Sequence, residues 1–284
     1  MPTKKLRSIT GKTFQNADNE LTGGFVSSYI EYDRNGNMIL SKSYSTDNEF
    51  ESKTEARYDD KGNMIEETIY FSEEDVSEQS IIERDKEGNV IKISTRYADG
   101  NHTEKQYQYD KINNKLTVLT FGDFNNLEEK NIFSYDKSDK LLTKEIFNED
   151  EELIEKIINE YDDNSNLMKQ TELGKNNEFV LESYLSYDER GNVIKQLTLN
   201  KKRELVNKLS FIYNENNKLI EQHVGNSYII KYQYDDDLKT KTEQRYNSNG
   251  IIEYETVTKY FDDNLIAEEK NLRTTTRYFY EFWD

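Results

Sequence analysis

One phrase recurs along this chain from end to end. Tyr187-Asp188-Glu189-Arg190-Gly191-Asn192-Val193-Ile194 has counterparts beginning at Tyr32, Tyr58, Arg84, Tyr109, Tyr135, Tyr161, Tyr213, Tyr234 and Tyr260. The interval is 26 residues, apart from 25 between Arg84 and Tyr109 and 21 between Tyr213 and Tyr234. A period held that strictly constrains the fold more than any composition does. Each unit must meet the same kind of neighbour as the one before it, which makes the chain a repeat array.

The phrase itself encodes a reversal. In Tyr32-Asp33-Arg34-Asn35-Gly36-Asn37 the Asp33 carboxylate can accept from a backbone N–H two residues on, and Gly36 suits the left-handed position that closes a three-residue hairpin with a bulge. Asp59 with Gly62, Asp85 with Gly88, and Asp188 with Gly191 repeat the arrangement. Where glycine is missing, Asn113, Asp139 and Asn217 stand in its place, side chains that tolerate positive φ; Ser165 fits less well.

Strand-like runs flank each turn. One ends on the motif Tyr, as in Ser183-Tyr184-Leu185-Ser186-Tyr187, and the next opens on an apolar pair such as Met38-Ile39 or Val193-Ile194. A large apolar residue follows twelve positions after the Tyr (Tyr44, Tyr70, Phe147, Tyr246), and then a second turn that is more variable and reads as looser. The expected fold is therefore all-β: an elongated, curled, open antiparallel strip, a meander of tandem hairpins with about twenty strands. The window 149–160 tolerates helix, but the repeat makes it a strand.

Residues 1–31 read as an opening half repeat, or N-terminal cap, in which Phe14 and Phe25–Glu31 form a hairpin joined by a polar loop from Gln15 to Gly24. Residues 32–271 are the tandem array. Residues 272–284 are an aromatic C-terminal cap that would hide the last strand edge. In a sharper reading, Tyr280 and Trp283 of that segment anchor a partner.

Composition limits function. The hydrophobic fraction is 34% and the mean hydropathy −1.00, so any core is thin, with 21 Tyr and 13 Phe supplying apolar area. There is no cysteine, hence no disulfide framework and no thiolate metal site. The N-terminus has basic residues without an apolar signal core, and no apolar run of about 18 residues is present for a helical span. A cytoplasmic location is expected from this, or a secreted or surface one if an export signal was removed.

The units carried by Tyr32-Asp33 with Gly36-Asn37, Tyr58-Asp59 with Gly62-Asn63, and Tyr187-Asp188 with Gly191-Asn192 resemble the YD repeats of the Rhs family, which also occur in teneurins and insecticidal toxin complexes. The resemblance spans Tyr32 to about Asn264. It implies a long curling β-strip, which in that family can close into a shell around a toxin. The chain is much shorter than such shells, so an open, curved strip is the expectation.

No cofactor, metal or catalytic motif emerges. His102 and His223 lie nearly five units apart, and no Walker loop, dinucleotide fingerprint or Ser/His/Asp set is present. Carboxylate pairs are too numerous to single out a glycosidase couple. Asp33-x-Asn35-x-Asn37 and Asp162-x-Asn164-x-Asn166 place oxygen donors as calcium loops do, yet no bidentate Glu follows and turn chemistry accounts for the Asp. The formal charge of −18, from 38 Lys and Arg against 56 Asp and Glu, argues against nucleic acid or an anionic membrane as partner.

The charge favours a basic protein instead. Its contact candidates are Glu73, Glu74 and Asp75; Glu149, Asp150 and Glu151; and Asp235 and Asp236. The expectation is a non-catalytic binding protein, of the immunity or antitoxin type, that holds a basic toxin or effector. The alternative is a cell-surface adhesin or carbohydrate-binding protein whose exposed tyrosine rows stack on sugar rings.

Overall fold

The computed structural model describes residues 5–17 and 20–284. Among the described residues the chain is all-β, with 22 strands in one antiparallel sheet whose first and last strands pair with each other. The strands in chain order are β1 (Leu6–Ala17), β2 (Glu20–Tyr32), β3 (Met38–Tyr44), β4 (Phe50–Tyr58), β5 (Met64–Tyr70), β6 (Val76–Arg84), β7 (Val90–Tyr97), β8 (His102–Asp110), β9 (Lys115–Phe121), β10 (Leu127–Tyr135) and β11 (Leu141–Phe147). They continue with β12 (Leu153–Tyr161), β13 (Leu167–Gly174), β14 (Phe179–Tyr187), β15 (Val193–Asn200), β16 (Leu205–Tyr213), β17 (Leu219–Val224), β18 (Tyr228–Asp235), β19 (Thr240–Asn247), β20 (Ile252–Tyr260), β21 (Ile266–Asn271) and β22 (Thr274–Phe282).

Two compact units divide the chain. The first comprises Met1–His102, Gln233–Gln244 and Glu253–Asp284; the second comprises Thr103–Tyr232 and Arg245–Ile252. In the first, ladders run from β20 through β21, β22, β1 and β2 to β7, each strand antiparallel to the next. In the second, β8 to β18 pair in sequence order.

The open strip expected from the sequence is corrected by the seam between β1 and β22. Their register runs from Leu6 opposite Phe282 to Gln15 opposite Thr274. Small polar side chains lock it: Thr275 donates to Asn16 Oδ1 at 2.7 Å, and the hydroxyls of Thr13 and Thr276 lie 2.8 Å apart. A free first and last strand would each present a row of unpaired N–H and C=O groups, and pairing the two satisfies both rows at once. The repeats specify neighbour pairing within the array, but they carry no signal for whether the terminal strands meet.

The opening hairpin is also longer than expected. Residues assigned to a loop between Gln15 and Gly24 are strand on both sides, paired from Gln15 opposite Thr22 to Ala17 opposite Glu20. Asp18 and Asn19 lie outside the described residues. Register shifts at Gly11/Lys12 and Phe14/Gln15 each leave one residue of β2, Ser27 and Gly23, without an opposite number on β1. The helix-tolerant window contains β12, as the repeat requires.

Among the described residues, the buried apolar side chains are Ala56 and Val118, while Ser8, Thr13, Thr68, Asn159, Glu182, Thr258 and Thr275 are buried polar ones. The fully buried apolar core among the described residues is therefore thin, and ladders and polar cross-strand pairs hold the strands together.

Candidate functional site

The turns set the geometry of everything exposed at the strand ends. Asp33 N–H donates to Asn37 O and Gly36 N–H to Asp33 O, while Asp33 Oδ1 accepts from Asn35 and Asn37 N–H at 2.7 and 2.9 Å and Oδ2 accepts from the Asn37 amide at 2.9 Å. The same clamp joins Asp59 to Asn63, Asp85 to Asn89 and Asp188 to Asn192. The amide of Asn63 holds the Asp59 carboxyl below its ordinary range, and Asn192 does the same for Asp188. These oxygens accept from N–H donors of their own turn, which is the role the sequence assigns to the Asp.

Positive φ falls where the hairpin needs it: Gly36 at 91°, Gly62 at 82°, Gly88 at 92°, Gly191 at 82°, Asp139 at 60°, Asn217 at 62° and Ser165 at 76°. After Asp110 four residues join β8 to β9 where most other motif turns have five, and Asn114, not Asn113, takes the left-handed position. The second turns are not looser. Ser45 N–H donates to Glu49 O and Asn48 N–H to Ser45 O, and the turns at Asn148, Asn200 and Asn247 close identically. In these hairpins both ends use one reversal, with Ser or Asn replacing Asp in the second, whereas Tyr97, Gly122 and Gly174 take that place in others, so the second turns are the more variable set.

Neighbouring units are stapled by the motif Tyr. Tyr58 donates its hydroxyl to Met38 O, Tyr161 to Leu141 O, Tyr187 to Leu167 O and Tyr213 to Val193 O, each reaching back 20 residues over 2.8–3.1 Å. In the unit where Arg84 replaces Tyr, its guanidinium donates to Met64 O and Gly88 O. Burial pushes the Tyr58, Tyr187 and Tyr213 hydroxyls up in pKa.

The sheet carries its cations in ion pairs. Lys53 pairs with Glu55, Arg57 with Glu66, Lys92 with Glu83, Lys156 with Glu145 and Arg277 with Glu268. The densest cluster lies on β13 and β14. Glu182, only 3% exposed, accepts from Tyr184 at 2.7 Å and Thr171 at 3.3 Å, and pairs with Lys169 at 3.0 Å and with Arg203. Burial pushes its carboxyl up, but Tyr184, Lys169 and Arg203 outweigh this and hold it low. Such a saturated carboxylate has no lone pair left for a substrate, and it reads as a structural node that the sequence did not reveal.

The acidic candidates sit elsewhere, on three separate turns. Glu73, Glu74 and Asp75 join β5 to β6, with Ser72 donating to Asp75 at 2.7 Å. Glu149, Asp150 and Glu151 join β11 to β12, with Glu151 3.5 Å from Lys130. Asp235 ends β18 and accepts from Leu238 N–H at 2.8 Å, with Asp236 next to it. The first and third runs belong to one unit and the second to the other.

The C-terminal pair is divided in role. Trp283 is a latch: its backbone N–H donates to Lys5 O at 2.9 Å, its indole N–H donates to Asp33 O at 3.2 Å, and Arg34 and Arg7 lie 4.9 and 5.3 Å from its ring. Tyr280 donates to Ile266 O at 2.8 Å and meets Phe261 edge-on at 6.1 Å. Phe261, Asp262, Asp263, Leu265, Tyr278, Tyr280 and Phe282 line a cleft of about 510 Å³ within the first unit. Sequence reasoning missed Phe261 and Asp263. The available signal was the motif at Tyr260, where Phe interrupts the Tyr-Asp pair.

No family model matches this chain, and no curated protein matches it. Solved structures align over long stretches at low similarity. The crystal structure of TcdB2-TccC3-TEV aligns over 86% of this chain at 13% identity and a TM-score of 0.42, and this chain spans about 15% of that chain's length. Porin-like proteins from Bacteroides vulgatus and Bacteroides uniformis align over 75% and 99% of this chain and 99% and 98% of their own, at 12% and 10% identity and TM-scores of 0.38 and 0.32. At these scores the likeness carries no argument about activity or partners.

The cytoplasmic location expected from the sequence does not stand. It rested on the lack of an apolar helix. Among the described residues no helix is long and apolar enough to cross a membrane, but a closed barrel crosses with strands, to which that observation does not apply.

Proposed function

We propose that this chain is a non-catalytic binding protein that receives a basic protein partner at its acidic turns. The observation that carries the reading is the separation of charge. Several sheet cations pair with sheet carboxylates, among them Lys53 with Glu55, Arg57 with Glu66 and Lys156 with Glu145, while acidic runs stand at reversals such as Glu73-Glu74-Asp75 and Glu149-Asp150-Glu151. Exposed like charges on rigid hairpins raise the encounter rate with a cationic surface and contribute to its orientation.

Within this reading the chain is an immunity or antitoxin-type protein, and the partner a basic toxin or effector. Kinship with YD-repeat proteins is part of the same proposal and rests on the Tyr-Asp-x-x-Gly-Asn units themselves.

The test is capture on the immobilised chain followed by a salt gradient, with native chain compared to a variant carrying Glu73→Gln, Glu74→Gln, Asp75→Asn, Glu149→Gln and Asp150→Asn. The partner should be basic, be lost from the variant, and elute well below about 1 M salt, where screening acts within about 3 Å. A partner retained equally by both chains at that salt refutes the electrostatic reading.

A further inference from the structure

We infer that the cleft beside β22 accepts an arginine side chain of the basic partner; this rests on the function proposed above and names the site where one of the partner's cations is held. The cleft combines three features. Its aromatic surface is exposed, with Phe261 at 46% and Phe282 at 38%, in a chain whose mean hydropathy is −1.00. Its rim carries Asp262 and Asp263. Its tyrosine hydroxyls are already committed, Tyr280 to Ile266 O and Tyr278 to Glu269 at 2.6 Å.

Charge selects the ligand within the proposed function, since the partner is basic and the ring hydroxyls are occupied. What remains is ring face plus carboxylate, the combination that holds a cation. Asp262 already pairs with Lys239 of the same chain, so Asp263 is the carboxylate left to meet an incoming charge. Asp263 accepts from Leu265 N–H at 3.3 Å, a long bond that leaves most of its accepting capacity. Its charge also helps to raise the Tyr280 hydroxyl, after burial, which places it electrostatically against the aromatic wall. A guanidinium fits this pairing better than an ammonium. It is planar, stacks on rings, sheds water more easily and can meet a carboxylate with two N–H groups.

Charge-matched peptides separate the cleft from the general field. Hexaarginine and hexalysine are titrated by calorimetry into the full chain and into Phe261→Ala and Asp263→Asn, each checked for native circular dichroism. Hexaarginine should bind at least about tenfold more tightly than hexalysine. Either substitution should abolish that preference while leaving hexalysine binding nearly unchanged. Equal affinity for the two peptides overturns the arginine site and leaves the basic-partner reading standing. Binding of neither peptide at low salt overturns the site and counts against that reading as well. A preference for arginine that survives both substitutions places the arginine elsewhere and overturns the cleft.

Discussion

Removing the tyrosine staples tests how the array is held together. Tyr58, Tyr161, Tyr187 and Tyr213 each donate one hydroxyl to a carbonyl of the preceding unit. Substitution by Phe keeps the ring and deletes that bond, at a net cost of about 1 kcal/mol per site. Tyr161, Tyr187 and Tyr213 end β12, β14 and β16, two strands or roughly 10 Å apart, and Tyr58 ends β4, so the costs should add to within about 0.5 kcal/mol. The quadruple variant should therefore lose about 4 kcal/mol, a large share of the 5–15 kcal/mol typical of folded proteins. With a urea m-value of about 3 kcal/mol/M, the midpoint should fall by about 1 M without a change in slope, and each single variant should give about a quarter of that. Tyr44→Phe is the control, since Tyr44 contributes an edge-on contact with Phe50 at 6.3 Å that Phe preserves. A quadruple variant that unfolds within about 0.2 M of the native chain refutes the staple.

Three other outcomes follow from the same geometry. Arg84→Tyr should stabilise by about 1 kcal/mol in urea, because Arg84 leaves its buried Nε without a partner and Tyr restores the staple. Ser165→Gly should gain about 1 kcal/mol, since Ser165 sits at φ 76°, where a Cβ is strained; Gly191→Ala, at φ 82°, should move the midpoint the other way. Acid should unfold the chain through its clamps: folded-state pKa values of Asp59, Asp85, Asp188 and Glu55 are depressed, so their stabilisation is present above the ordinary values of 3.8 and 4.5 and is lost as pH falls through the folded values. Replacing Asn63, Asn89 and Asn192 by Ala should shift that acid midpoint upward in a circular dichroism titration; an unchanged midpoint removes the clamp from the account.

Much of the local structure was legible because it is encoded within a few residues. Asp33 and Asn37 stand four apart, and that spacing alone fixes which N–H groups the carboxylate meets. The hairpin period then follows, since both turns reverse the chain. What could not be read depends on residues far apart in sequence. Thr275 meets Asn16 across 259 positions, and no periodicity announces it. Glu182 lies in a run where the repeat predicts only a strand, and besides Tyr184 on its own strand its partners are Lys169, 13 residues before it, and Arg203, 21 residues after it. Phe261 and Asp263 were hidden for the opposite reason: they break the motif, and an irregular unit reads as decay unless the cleft it opens is seen.

Closure changes how a partner can be met. A strip with free ends could recruit another chain by adding a strand to an exposed edge, gaining main-chain hydrogen bonds with little demand on side chains. The pairing of β1 with both β2 and β22 removes that route at the seam, because every strand there already has two neighbours. Recognition is left to side chains at the reversals and on the wall. On the wall, carboxylates such as Glu182 and Glu145 are occupied by lysines of adjacent strands. The reversals are where the clamp fixes the backbone without using the outer residues: in Asp188-Glu189-Arg190-Gly191-Asn192 the clamp consumes Asp188 and Asn192 and leaves the Glu189 side chain outside it. The same repeat that makes the turn rigid therefore leaves charge free at its tip, which is the arrangement an electrostatic recognition surface requires.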